Sequence, residues 1–279
     1  MDILKRYGLF VLIATVPFAL VVLPLSSFLM MSLYKVDGAN IVRQASLDNY
    51  IQFFSNASQV RTFSLTLWLC AKVTMIGVLI GFPIAYFIWQ RRGRLRYVLL
   101  LAFVLPLFMS YIVKIYTMRS LLGLNGFINQ ALVGFGALDK PSMMFLYNQT
   151  SILLTMSVIF LPFVILPIFL SLERIPRNLL QASADLGAGK WVTFTKVILP
   201  LSLPGTVAGA LFAFVLALGD FVTPQMVGGP SGFTFGRVIW SQFGLAYNWP
   251  LGSAMAAVLF LVALVAIISA GFAARQQRV

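Results

Sequence analysis

Long apolar runs alternate with short polar connections along this chain. Six runs are long enough to cross a bilayer core of about 30 Å as helices, because each helical residue adds about 1.5 Å. Charged, proline-containing or glycine-rich segments separate the runs. The pattern predicts an all-α integral membrane protein with six transmembrane helices in a single domain, residues 1–279. The six runs cover residues 9–33, 63–90, 97–121, 150–172, 200–222 and 251–273.

The composition agrees with this pattern. Of the 279 residues, 60% are hydrophobic and only 10% are charged, and a soluble fold of this size could not bury that much apolar surface. The chain begins MDILKRYG and then stays apolar, without a small-residue cleavage site before a soluble domain. We therefore expect the first run to be a retained span rather than a signal peptide.

The basic residues collect on one set of connections. With a cytoplasmic N-terminus, the inside segments hold twelve of the 20 Lys and Arg residues, and the outside loops, 34–62, 122–149 and 223–250, hold five. The positive-inside rule then predicts that both termini are cytoplasmic. The net charge of +13 suits anionic headgroups, so we expect membrane lipid and no nucleic acid as a partner. The inside set is Lys5, Arg6, Arg91, Arg92, Arg94, Arg96, Arg174, Arg177, Lys190, Lys196, Arg275 and Arg278.

The sequence offers few residues for catalysis or metal binding. It has one cysteine, Cys70, and no histidine, so the usual ligands of zinc and haem are missing. A phosphate-binding P-loop needs G-x-x-x-x-G-K-[ST]. The nearest run has Ala184 in place of the first glycine and Trp191 in place of the hydroxyl residue. We therefore expect a non-catalytic chain without a metal or cofactor of its own.

The connection over residues 173–199 is longer than a simple turn and has a helical pattern of its own. Gly187 and Gly189 interrupt that pattern, and a second short helical run follows from Trp191. Small residues on an exposed helix face allow close approach by another surface, which favours a docking element. The alternative is an amphipathic helix lying on the headgroups with Trp191 as its anchor. The apolar face would consist of Leu179, Leu180, Ser183, Ala184 and Leu186.

The same connection carries Gln181, Ala182, Ser183, Asp185, Leu186, Gly187, Ala188, Ile198, Leu199 and Pro200. In order and spacing these residues resemble the cytoplasmic EAA loop of ABC-importer permeases, which reads EAA, then a glycine, then I-x-L-P. The resemblance implies the type I importer permease fold. It also implies that residues 181–188 form a coupling helix in a groove of an ATP-hydrolysing subunit. Gln181 replaces the family's glutamate, which keeps a hydrogen-bonding amide but loses a charge-assisted contact.

Motifs elsewhere resemble one branch of that family, the permeases of spermidine/putrescine-type importers. The resemblance implies a bacterial inner-membrane permease that forms the translocation path with a second, related permease. Two ATP-binding subunits, which hold ATP and Mg, and a periplasmic substrate-binding protein would complete the transporter. The motifs are LDNY (47–50), IGFPIAY (80–86), LPFVILP (161–167), LGDFVTPQMVGG (218–229) and QFGLAYNWPLGSA (242–254).

The expected cargo is a small organic solute, first a polyamine or related organic cation. An opine, an amino-acid derivative or an organophosphonate is the alternative, favoured by Lys72, because a cation in the path repels a polycation. A secondary transporter or a channel subunit is a further functional alternative, from a different class of protein. Such a protein would not need the docking loop, and a secondary transporter usually carries coupling-ion carboxylates near the midplane.

Ionisable and aromatic residues at membrane depth are the candidates for substrate contact. Asp220 lies near the outer end of the fifth run. It could attract a cation, pair with Lys114 or Arg119, or cap a local turn. The substrate-path candidates are Asp220, Lys72, Lys114, Tyr111, Phe221 and Tyr86.

Overall fold

The computed structural model describes residues 2–37 and 40–275, and most of them are helical. The predicted helical class is confirmed, with one exception: strands β1 (Tyr34–Asp37) and β2 (Asn40–Ala45) pair antiparallel. The helices are α1 (Asp2–Met31), α2 (Asp48–Ser55), α3 (Ala57–Gln90), α4 (Arg94–Val104), α5 (Tyr111–Leu122), α6 (Phe127–Gly134), α7 (Gln149–Glu173), α8 (Arg177–Asp185), α9 (Lys190–Thr193), α10 (Leu199–Gly219), α11 (Val222–Val227), α12 (Phe235–Gly244) and α13 (Trp249–Arg275).

Four helical segments of the described chain are long and apolar enough to cross a membrane. They are α3, α7, the segment Lys190–Gly219 and most of α13. A fifth span is added if the two helical segments Arg94–Phe108 and Tyr111–Gly134, which are bent relative to each other, are counted as one span. The first predicted run, 9–33, lies partly outside the residues whose side chains are described. Its described part, Pro17–Met31, is apolar but short, so the count of six stays a prediction.

The third predicted run is not one straight helix. After α4 the chain tightens into a 3₁₀ turn over Leu105–Phe108, becomes extended at Met109 and Ser110, and bends by 104° before α5 continues. Pro106 explains the break, because proline lacks an N–H group and its ring crowds the carbonyl four residues earlier. A continuous helix over 97–121 is therefore the wrong prediction for this segment.

The fifth predicted run begins earlier than expected. The helix is continuous from Lys190 to Gly219 and includes a π-helical turn at Phe194–Ile198. Pro200 has no N–H to donate to the carbonyl of Lys196, and a wider turn just before a proline accommodates that loss. The run after Trp191, predicted as separate, is thus the first part of this helix. The helix ends at Gly219, not at residue 222.

The described residues fall into two compact units, one formed by residues 62–237 with the end of α13, the other by the N-terminal 61 residues with 238–261. The first unit contains the main helical core, and the second contains the hairpin. The prediction of a single domain over 1–279 stays a prediction.

Glycines allow close helix packing in the core of residues 62–237. The close contacts come from two G-x-x-x-G pairs, Gly77 with Gly81 on α3 and Gly205 with Gly209 on α10. Val164 of α7 lies against Gly77, Gly81 and Gly209, whereas Gly205 lies against Pro167 and Ser171 of the same helix. A Cβ at Gly209 would lie 2.9 Å from the Val164 carbonyl oxygen. Small residues at this spacing let membrane helices approach until their backbones are in contact. Helix α7 is therefore held between α3 and α10.

In the N-terminal unit, side chains of the LDNY motif (47–50) at the beginning of α2 form hydrogen bonds with the chain at the start of the β-hairpin. The buried Asn49 donates from Nδ2 to the carbonyls of Ser32 and Tyr34, both at 2.9 Å. The hydroxyls of Ser32 and Tyr50 are hydrogen-bonded at 2.7 Å. Asp48 lies 3.8 Å from Lys35 in an exposed ion pair. These contacts hold the β-hairpin and the beginning of α2 together.

Candidate functional site

Helix α8 lies in the predicted docking loop and ends where the sequence indicated. Gly187 follows it with φ of 76°, a left-handed conformation that favours glycine. The Gly187 N–H donates to the Ala184 carbonyl at 2.9 Å, and the Ala188 N–H donates to the Ser183 carbonyl at 3.0 Å. This pair of bonds is a Schellman motif, which satisfies the last carbonyls of the helix. The predicted break at Gly187 is confirmed.

One side of α8 packs on the rest of the protein. Leu180 is half-buried against the hydrophobic core that includes Leu172 and Ile198. One turn further on, the Ser183 hydroxyl is hydrogen-bonded to the Thr193 hydroxyl at 2.8 Å. Ser183, which stands where the family has alanine, therefore ties α8 to the beginning of the helix Lys190–Gly219.

The other side of α8 is exposed. Leu179 is 42% exposed and Leu186 is 88% exposed, and Ala182 between them is exposed as well. These residues lie at i, i+3 and i+7, so they share one helix face. The prediction of one apolar face that also included Leu180 and Ser183 is wrong, because those two side chains point inward. Gln181, Asp185 and Gly187 are also exposed, and Ala188 is half-buried.

A second feature lies at the other end of the helix Lys190–Gly219. Here α5, α7, α10 and α11 surround an open recess of about 350 Å³. Its shape depends on the end of α10 at Gly219, where the chain turns through Asp220 and Phe221 into α11. We call it the aromatic recess. Its lining residues are Tyr111, Phe160, Val215, Leu216, Gly219, Asp220, Phe221 and Val222.

Asp220 organises this recess through hydrogen bonds. Its side chain is only 8% exposed, and Oδ1 accepts from the backbone N–H groups of Val222 and Thr223, both at 3.0 Å. Oδ2 accepts from the Tyr111 hydroxyl at 2.5 Å, and that hydroxyl also lies 2.8 Å from Thr223 Oγ1. Of the three predicted roles of Asp220, the cap of a local turn is confirmed.

The nearby basic residues contact aromatic rings instead of Asp220. Lys114 Nζ lies 5.6 Å from the centre of the Tyr111 ring, and Arg119 Nη2 donates to the Tyr147 hydroxyl at 2.8 Å. Within the described part of the chain, Asp220 forms no ion pair with either of them. The predicted pairing of Asp220 with these cations is therefore wrong for this conformation.

The structure brings together some predicted path residues and separates others. Tyr111, Asp220 and Phe221 line the aromatic recess, and half-buried Lys114 is next to it. Lys72 is half-buried on α3 and is not among the lining residues. Tyr86 packs with Trp89 and Phe194, with ring centres 5.8 and 5.4 Å apart, and also lies outside the recess.

Two residues that shape the recess, Thr223 and Phe160, were missed from the sequence. Thr223 follows Asp220 by three positions, a spacing typical of a capped turn, so this signal was available. The Phe160 ring stacks on Tyr111 with centres 6.5 Å apart. Nothing in the sequence distinguishes Phe160 from other apolar residues of α7.

Comparison with known proteins gives the class. The chain belongs to the family described as binding-protein-dependent transport system inner membrane components, which matches residues 74–279. It is accordingly a multi-pass inner-membrane transport permease of the ABC type, as the loop motif predicted.

Sequence relatives within that family indicate which branch of it this chain resembles. The chain is 33% identical over 236 residues to the spermidine/putrescine transport system permease protein PotB of Haemophilus influenzae, a match covering 84% of this chain and 82% of the relative. It is 39% identical over 211 residues to the inner membrane ABC transporter permease protein YdcU of Escherichia coli, covering 71% and 67%. The predicted resemblance to spermidine/putrescine-type permeases is confirmed.

A solved structure agrees in fold. A chain of the bacterial alginate ABC transporter, crystallised with an alginate pentasaccharide-bound periplasmic protein, superposes with a TM-score of 0.79. The match covers 99% of this chain and 96% of that one, at 18% sequence identity. The described helices therefore follow the arrangement of an ABC-importer permease.

Proposed function

We propose that this chain forms the translocation path of a binding-protein-dependent importer together with a second, related permease. Two separate ATP-binding subunits drive transport, and a periplasmic protein delivers the solute. The chain has six spans with both termini in the cytoplasm, and it is not itself catalytic. It binds no metal or cofactor, since ATP and Mg are held by the partner subunits.

One observation carries this proposal. The exposed face of α8 and the aromatic recess lie at opposite ends of one continuous helix, Lys190–Gly219. Its 30 residues correspond to about 45 Å at 1.5 Å per residue, which exceeds the bilayer core of about 30 Å. A single continuous helix thus joins the proposed docking surface on one side of the membrane to the recess near the other side.

The mechanism follows from that connection. An ATP-binding subunit grips the outward face of α8 through Leu179, Ala182 and Leu186. When the two ATP-binding subunits close, α8 moves, and the Ser183–Thr193 hydrogen bond and the packing of Leu180 transmit the displacement to the long helix. A rigid shift of that helix displaces Asp220 and Phe221 at its far end and changes the recess. Alternating access is then a two-state change biased by nucleotide.

The cargo is proposed to be a polyamine or related organic cation. Three aromatic rings, those of Tyr111, Phe160 and Phe221, line the recess, and aromatic faces attract ammonium groups. Asp220 adds negative charge beneath them, although its oxygens already accept three hydrogen bonds. We infer that Asp220 mainly orients Tyr111 and that the rings contact the cargo.

The alternative cargo is an opine, an amino-acid derivative or an organophosphonate. The position of Lys114 beside the Tyr111 ring favours it, because an ammonium group there would attract a carboxylate or phosphonate. Calorimetric screening of the cognate binding protein separates the two: binding of spermidine or putrescine supports the first cargo, and binding of an anion alone supports the second.

Purification of the chain from its native membrane in mild detergent tests the proposed function. We expect it to retain a second permease and ATP-binding subunits, with ATP hydrolysis that rises when the loaded binding protein is added. If the purified chain moves solute in vesicles without a nucleotide-hydrolysing partner, the proposal is wrong and a secondary transporter is the better description.

A further inference from the structure

A second cavity, of about 630 Å³, lies beside α8 and has a different character from the aromatic recess. The end of α3, the start of α4, the end of α7 and the start of α8 enclose it. Its lining contains four guanidinium groups, those of Arg91, Arg92, Arg96 and Arg177, and one carboxylate, Glu173. We call it the arginine cavity. Leu180 and Gln181 of α8 also line it, so the cavity adjoins the docking helix.

The positive charge of this cavity is mostly uncompensated within the chain. Glu173 forms its ion pair with Arg96, and the Arg91 guanidinium lies 4.0 Å from the centre of the Phe87 ring. Among the described residues, neither Arg92 nor Arg177 has an acidic partner. A large cavity lined by two such arginines, one just before α4 and one on α8, is suited to an anion from outside the chain.

Arg96 supplies a buried donor. Its side chain is 12% exposed and lies over the Phe169 ring, 4.9 Å from the centre. Its Nε atom is buried without a hydrogen-bond partner, which is costly unless a ligand or water supplies an acceptor. Phosphate oxygens are such acceptors, and arginine binds them through paired N–H groups.

The position of the cavity indicates the source of the anion. Two long apolar helices end there, α3 at Gln90 and α7 at Glu173. Trp89 and Tyr97 also line it, and these residue types concentrate at the level of lipid headgroups. Helix α4 begins there without a capping side chain or an acidic residue in its first turn, so nothing at that helix end competes with an anion.

We propose that the arginine cavity binds the phosphate-bearing headgroup of an anionic phospholipid. Basic pockets between membrane helices bind such headgroups, and here the lipid would bridge Arg92, before α4, and Arg177, on α8. The bound lipid thereby holds the beginning of α8 in place relative to the beginning of α4. That it belongs to the cytoplasmic leaflet rests on the proposed function, whereas binding itself does not.

Native mass spectrometry of the intact purified complex tests this site. The complex is reconstituted in nanodiscs of phosphatidylcholine with a defined fraction of phosphatidylglycerol, and retained lipids are counted after release. Arg92→Gln and Arg177→Gln each weaken phosphatidylglycerol retention about fivefold, the change that corresponds to about 1 kcal/mol per basic residue near an anionic surface. The control is Arg94→Gln, which removes the same charge at an exposed position outside the cavity and leaves retention unchanged.

Three results would overturn the proposal. In the first, Arg94→Gln reduces retention as much as Arg92→Gln does, which indicates a diffuse basic surface. In the second, millimolar inorganic phosphate displaces the lipid completely, which indicates a site for a soluble anion. In the third, the Arg92 and Arg177 variants lose the ATP-binding subunit while lipid retention is unchanged, which makes the cavity a protein contact.

The proposal of a lipid site and the proposed function can be refuted independently of each other. A complex that hydrolyses ATP on addition of loaded binding protein but retains no phosphatidylglycerol overturns only the lipid site. A chain that retains the lipid but recruits no ATP-binding subunit overturns only the proposed function.

Discussion

A methyl group added at Gly205 tests the close packing of α10 on α7. A Cβ built at this position would lie 2.4 Å from the Pro167 carbonyl oxygen and 2.4 Å from the Ser171 Cβ. Real Cβ contacts are essentially never shorter than 3.0 Å, so the helices must separate locally by at least 0.6 Å, the difference between 3.0 and 2.4 Å. A backbone carbonyl cannot rotate away as a flexible side chain can, so the helix itself has to move.

The energetic effect has two opposing parts. Overpacking a close helix contact costs about 1–3 kcal/mol, while replacing glycine by alanine inside a helix returns up to about 1 kcal/mol. Because two contacts at 2.4 Å place Gly205 in the upper part of the overpacking range, at about 2–3 kcal/mol, we expect Gly205→Ala to be destabilised by a net of about 1–2 kcal/mol. That corresponds to about 2–8 °C in melting temperature, at about 2–4 °C per kcal/mol for a chain of this size.

The single cysteine provides the assay. Cys70 is fully buried on α3, so a thiol-reactive maleimide dye reports the temperature at which the core opens. No other cysteine is present. The readout therefore follows the unit that contains Gly205, and it requires no transport activity.

A graded series makes the test specific. The distance from an added Cβ to its nearest neighbour is 2.4 Å at Gly205, 2.9 Å at Gly209 and 3.3 Å at Gly77, and no atom lies within 4 Å of it at Gly219. Alanine should destabilise in that order, and Gly219→Ala is the matched control on the same helix. If Gly205→Ala melts at or above the temperature of the Gly219→Ala variant, this account of the packing is refuted.

Three further predictions concern function. Ser183→Ala removes the 2.8 Å bond between α8 and the long helix, so uptake per ATP hydrolysed should fall several-fold; Thr195→Val, whose hydroxyl bonds only within its own helix, should not change it. Gly187→Pro cannot adopt φ of 76° and should abolish uptake while membrane insertion, measured by fractionation, is unchanged; normal uptake would argue against docking at α8. Tyr111→Phe removes the donor to Asp220 and should raise the KM of uptake about tenfold, at about 1–3 kcal/mol for an unpaired buried group, whereas exposed Tyr116→Phe should leave KM unchanged.

The sequence predicted what depends on local pattern. Helices α7 and α13 were readable because an apolar run of sufficient length directly indicates a span. The end of α8 was readable because glycine is the residue that favours a left-handed turn after a helix. The apolar pattern predicted the third run as one span; Pro106 accounts for its break, and the 104° bend depends on how the flanking helices pack.

The residues that the sequence could not place are those whose partners are distant along the chain. The Tyr111–Asp220 hydrogen bond joins positions 109 residues apart, and no local pattern pairs them. Ser183 stands where the family motif has alanine, and the sequence gives no partner for its hydroxyl. Its contact with Thr193 exists only because the helix beyond Gly189 starts ten residues before the predicted fifth span.

The central claim is that the outward face of α8 is gripped by a separate ATP-binding subunit, and site-specific cross-linking tests it most directly. With Cys70 replaced by alanine, Ala182→Cys is introduced on the exposed face of α8, and native membranes are treated with a short maleimide–benzophenone reagent, whose maleimide bonds the new thiol and whose benzophenone inserts into a nearby C–H bond on irradiation. We predict one dominant adduct between this chain and the ATP-binding subunit, identified by mass spectrometry. Efficient labelling of that cysteine by a monofunctional maleimide, with no adduct to an ATP-binding subunit, would contradict the claim.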